Sequence, residues 1–233
     1  MVTYCFRNMG KDIYSITAKH LVRILSDPKF KRNVQELGDL ECPNEKSFAI
    51  LQMINSSEYI VGDVEEGSDD CSHGEGPSAF DFGLEYGDGQ DSYFLFALHS
   101  HPTGNVTPSI IDESGGDLLA LSNMRENYAM YGGLAVRPIE GVVGSVDGKT
   151  IHILLIQEKT KTPLAVPFLR DYEDLDWRYD AKPEEIARIL EETKGYNAIP
   201  ITMHNKRLLF SDGLIDKLKK FEFSPTLTTP TEE

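Results

Sequence analysis

Six consecutive aromatic and aliphatic residues, Tyr93-Phe94-Leu95-Phe96-Ala97-Leu98, constrain this chain more than any other stretch. A run of that length and composition forms a buried strand rather than a helix. It leads directly into His99-Ser100-His101-Pro102. Strand side chains alternate between faces, so His99 and His101 point to the same side and Ser100 points away. Pro102, Gly104 and Pro108 then break the strand into a loop, after which Ile110, Ile111, Leu118, Leu119 and Leu121 recur at helical spacing. Ser109 stands where a helix N-cap is expected, and Asp112 falls in the first turn, free to cap or to turn back toward the histidines. Two imidazoles and one carboxylate suit zinc, and they leave a fourth tetrahedral position for water, as in a hydrolytic site. Taken singly these features are ordinary. A pair of histidines on a strand is more often a surface or hydrogen-bonded pair, and S-x-x-D before an apolar run is a common capping signal.

The rest of the chain sets that run in one globular frame with an appendage. The 233 residues, 40% of them hydrophobic, suffice for one good-sized domain. No 18-residue apolar segment occurs, and Met1 to Arg7 lacks the apolar core of a signal peptide, so the expectation is a cytoplasmic protein without a membrane span. Cys5, Cys42 and Cys71 are far apart and odd in number, as expected of free thiols. Cys71 and His73 are too few for a second metal site. The net charge of -15 disfavours nucleic acid as a ligand. Much of that charge lies in an acidic, glycine-rich insertion over about 62–92, which carries no lysine or arginine. The ordinary reading is a solvated loop. The sharper reading is electrostatic capture of a basic substrate face, which added salt would slow.

Helical periodicity is expected from Ile13 to Leu37, interrupted at Pro28, with His20 as core or surface filler. Strands are expected over Ala135–Ser145 and Thr150–Gln157, joined by a turn at Asp147-Gly148, with His152 structural. After Pro163 the texture changes. A short helix over Pro183–Glu192, a hairpin over Ile199–Phe210 turning at His204-Asn205-Lys206, and a helix over Leu214–Phe221 define a small α/β module at 166–223. Residues 224–233 are expected to be a disordered tail. The residue types of the module do not choose among substrate binding, a dimer contact and support of the core.

Together, H-S-H-P, six residues, then S-x-x-D, with a strand before and a helix after, resemble the JAMM (MPN+) metalloprotease motif at every signature position. The resemblance covers about residues 13–160. It implies an α+β, cytidine-deaminase-like fold: a mixed, largely antiparallel, curved sheet flanked by helices. It also implies one zinc ion held by His99, His101 and Asp112, with Ser109 donating to the oxyanion. The catalytic domain would span 1–165. The implied activity is cleavage of ubiquitin-like modifiers or sulfur-carrier proteins from their conjugates. JAMM domains also need an upstream glutamate as general base. Glu41, Glu45 and Glu58 stand in the right region, and Glu45 is preferred because the apolar stretch Phe48 to Ile54 follows it. The glycine usual near that glutamate is missing here. Two rival readings stay open: a metal-free MPN scaffold subunit, and another zinc hydrolase or RadC-like protein, since RadC proteins share the motif.

Overall fold

The computed structural model describes residues 13–39, 44–67, 92–101, 104–108, 117–118, 121, 134–135, 137–145, 147, 149–159, 182–192, 195–205, 207–209, 213–223 and 226–227. Two helices open the described chain, α1 (Ala18–Leu25) and α2 (Pro28–Leu37). The helical stretch expected over Ile13–Leu37 starts later, at Ala18, and is divided at Pro28 as expected. Thr17 caps α1 by accepting from the His20 backbone N–H, and Asp27 caps α2 by accepting from Lys29 and Phe30 N–H, with Pro28 preset for the first turn.

Among the described residues, eight strands form one sheet: β1 (Lys46–Met53), β2 (Tyr59–Val61), β3 (Glu65–Glu66), β4 (Ser92–Ser100), β6 (Ile139–Ser145), β7 (Thr150–Glu158), β8 (Tyr196–His204) and β9 (Arg207–Leu209). A two-residue β5 (Leu134–Ala135) lies outside it. The order is β2-β1-β4-β6-β7-β8-β9, with β3 on β1. Every pairing is antiparallel except β4 with β6, which run parallel. The chain is therefore mixed α/β with a curled, mostly antiparallel sheet. None of the described helices is long and apolar enough to cross a membrane.

Both faces of the sheet are covered. One packs Leu98, Phe48, Ile153 and Ile201 against Leu21, Ile24, Phe30 and Val34 of α1 and α2, and against Leu214 and Leu218 of α4 (Leu214–Leu218). The other packs Val142, Leu154, Ile156 and Ala198 against Ile186 and Leu190 of α3 (Pro183–Glu192), and against Leu118 and Leu121. Alternation along the strands sorts the residues between these layers. Phe30 and Phe96 are fully buried.

The described part of the module expected at 166–223 contributes β8 and β9 to the same sheet, with α3 on one face. The seam is apolar and polar at once: nine register pairs join β7 to β8 from Thr150↔His204 to Glu158↔Tyr196. Buried Gln157 donates to the carbonyls of Arg137 and Glu222 and accepts from Glu222 N–H. Within the expected tail, Thr226–Leu227 form β10 against β5. Most of the acidic insertion, all of 160–181, and the rest of the tail lie outside the described residues.

Candidate metal centre

The site is built where β4 ends. His99 is its penultimate residue, paired with Ser47 of β1 on one side and Val142 of β6 on the other. Partners across a ladder share a face, so His99 lies on the Val142, Leu118 and Leu121 side. His101 follows two residues later on that side. Ser100 turns away and its Oγ accepts from the Lys46 backbone N–H, as alternation predicts. Past His101 the chain makes a tight turn in which Gly104 N–H donates to the His101 carbonyl at 2.9 Å, and Gly104 has φ 71°. That left-handed backbone favours glycine.

A helical segment brings Asp117 over the two rings. The carboxylate lies 3.3 Å from His99 Nε2 through Oδ1 and 3.3 Å from His101 Nε2 through Oδ2. The two Nε2 atoms are 3.0 Å apart. Tetrahedral zinc with bonds of about 2.0–2.1 Å sets its ligand atoms roughly 3.3 Å apart, so the three residues fit such an ion. His99, His101 and Asp117 can hold a metal ion.

The surroundings are polar in a directed way. Glu140 of β6, 5% exposed, has Oε1 2.8 Å from His99 Nδ1. Asn105 has Oδ1 3.3 Å from His101 Nδ1. Burial opposes charge on the His99 ring, but Asp117 and then Glu140 outweigh it and hold its pKa well above the ordinary imidazole value. Burial likewise disfavours ionised Asp117, yet His99 and His101 bring it well below the usual carboxylate range. Burial pushes Glu140 up, against the pull of His99. The cluster therefore attracts positive charge to its centre.

His99 and His101 thus meet as the sequence predicts. Asp112 and Ser109 lie outside the described residues, and among those described Asp117 is the carboxylate that joins the histidines. A signal for it exists: Ser114-Gly115-Gly116-Asp117 is a second S-x-x-D, five residues beyond the first. Glu45 immediately precedes β1. Its carbonyl accepts from Gly67 N–H at 2.7 Å, so strand-like pairing reaches it. Continuing the Ser47↔His99 register sets Glu45 across from His101. Glu58 lies at the other end of β1, its carbonyl accepting from Met53 N–H. Six residues of strand separate Ser47 from Met53, about 20 Å. Glu41 lies outside the described residues. Cys5, Cys42 and Cys71 do too, as does His73.

His20 and His152 stand apart from this centre. His20 Nε2 is 2.7 Å from Gln52 Oε1, between the rings of Tyr14 and Tyr59, and His152 Nδ1 is 3.3 Å from Thr202 Oγ1. Comparison of the chain with protein-family models, with curated proteins and with solved structures returns no match.

Proposed function

We propose that this protein is a zinc-dependent peptidase of the JAMM type, hydrolysing the amide that joins a ubiquitin-like or sulfur-carrier protein to its conjugate. The observation that carries the reading is the convergence of Asp117 with His99 and His101, the two histidines of the H-S-H-P run at the end of β4. His99, His101 and Asp117 would hold one zinc ion per chain. When bound, the ion supplies Lewis-acid activation of water near neutral pH.

The remaining work belongs to side chains. Glu45, set opposite His101 by the strand register, takes a proton on its carboxylate from the attacking water and returns it to the departing amine nitrogen. Ser109 is assigned the oxyanion on its motif position alone, its hydroxyl donating to the developing charge. Specificity for the modifier is assigned to the acidic insertion, as loops on a rigid frame commonly carry selectivity.

The experiment is a cleavage assay on ubiquitin and prokaryotic ubiquitin-like conjugates, with and without chelator, beside measured zinc content. Glu45→Gln is expected to keep its zinc and lose about 100-fold or more in rate. His101→Ala is expected to lose both zinc and activity. Full activity in Glu45→Gln, with loss in Glu41→Gln, would move the base to Glu41. A purified protein with zinc and no cleavage of any conjugate points to another hydrolase, and one without zinc to a scaffold.

A further inference from the structure

We infer that Glu140 and Asn105 are positioning residues that fix both histidines with their protons on Nδ1, aiming two bare Nε2 lone pairs at one point. This deepens the metal-dependent reading above and rests on it. Glu140 is a carboxylate set among Ile139, Val142 and Val143 on a strand buried along its whole length. Such a group is retained in an apolar layer only where it is well paired. Its partner is His99 Nδ1 at 2.8 Å, brought to it from 41 residues away in sequence by the parallel β4–β6 pairing. An ionised carboxylate has only lone pairs to offer, so His99 Nδ1 carries the proton and donates.

His101 is held the same way by a different group. Asn105 Oδ1 accepts from the Thr107 backbone N–H at 3.1 Å, which identifies that atom as the amide oxygen. It lies 3.3 Å from His101 Nδ1, which must therefore donate to it. A ring must be neutral to ligate a metal, and with its proton on Nδ1 a neutral ring presents a bare Nε2; the two Nε2 atoms lie 3.0 Å apart, with Asp117 oxygens 3.3 Å from each. In that state the two Nε2 atoms and the Asp117 carboxylate are acceptors that converge on one point, where a cation can be held.

The test reads metal affinity and tautomer rather than turnover. Zinc dissociation constants are measured by chelator competition for the wild type, Glu140→Ala, Glu140→Gln and Asn105→Ala, and ring 15N shifts are recorded on the zinc-loaded proteins. Glu140→Ala is expected to weaken zinc about 10–100-fold, with Glu140→Gln between it and the wild type because the amide oxygen still accepts. Wild-type His99 and His101 are expected to show Nε2 ligation with Nδ1–H. Asn105→Ala is expected to perturb the His101 signals and leave those of His99 in place. Where Glu140→Ala does not fold, Glu140→Gln and Asn105→Ala carry the test. Wild-type protein that takes up no zinc overturns this inference and the functional reading together. Wild-type protein that binds zinc, with Glu140→Gln and Asn105→Ala within twofold of it and tautomers unchanged, overturns the inference alone.

Discussion

Replacing Gly144 by alanine tests how the sheet supports the metal centre. Gly144 follows Val143 in β6, and Val143 pairs with Ser100, so continued register carries Gly144 level with His101. A Cβ there would lie 2.3 Å from the Gly104 carbonyl oxygen and 2.7 Å from that of Asn105, against an ordinary contact of 3.4 Å or more. Both obstacles are backbone, so no side-chain rotation relieves them, and the 104–105 turn has to retreat by about 1 Å. Overpacking of that kind costs about 1–3 kcal/mol. The same movement carries Asn105 away from His101 Nδ1, a displacement expected to weaken zinc binding about 10-fold or more. Urea unfolding of the metal-free protein and chelator competition on the folded protein read the two effects separately. Stability unchanged within about 0.5 kcal/mol, together with unchanged zinc affinity, would refute the claim that this close approach holds the loop.

Three further outcomes are expected. Asp117→Asn should abolish tight zinc binding while Asp112→Asn leaves it intact; the reverse pattern, read by chelator competition, would return the third ligand to the position that motif spacing selects. Chelation should lower the melting temperature by about 5–10 °C from that at zinc one hundred times its dissociation constant, since such saturation contributes about 2.7 kcal/mol; an unchanged melting temperature counts against a folded-state metal site. Burial, aided by Arg23 and opposed by the Gln52 hydrogen bond, lowers the pKa of His20. Below about pH 6.5 the unfolded chain therefore takes up a proton that folded His20 resists, so this stabilisation is full above that pH and is lost as pH falls. Denaturant unfolding between pH 5 and 7.5 should show a steeper acid loss for the wild type than for His20→Leu, and parallel curves would remove His20 as the cause.

What could be read in advance was whatever depends on neighbours in sequence. The apolar run before His99 makes a strand, and a strand forces His99 and His101 to one side, so the paired rings needed no tertiary knowledge. The turn at Asp147 is equally local: its carboxylate accepts from Lys149 and Thr150 N–H. Asp117 was missed because two S-x-x-D copies compete and spacing favours the first. Glu140 carries no local signal at all; it is one acid in a strand, and its meaning depends on β6 lying parallel to β4. The C-terminal hairpin was legible from its turn residues, Asn205 having φ 46°, but its docking was not. Ile199 and Ile201 suit a half-buried strand in any sheet, and only the β7 register names which one.

The parallel pairing of β4 with β6 has a kinetic meaning. Parallel neighbours cannot be joined by a hairpin, so the chain leaves β4 at Ser100, carries Asp117 over the face, and returns at Ile139. His99 and Glu140 therefore close a loop of 41 residues, whereas Ser145 and Thr150 of the β6–β7 hairpin are five apart. Long closures are slow to form and cost more chain entropy than hairpins. An ion gripping β4 and Asp117 would act as a clasp on part of that crossover, present in the native state and weak in the folding transition state. Its expected signature is slower unfolding at nearly constant folding rate, which would make metal loading a brake on loss of the native fold.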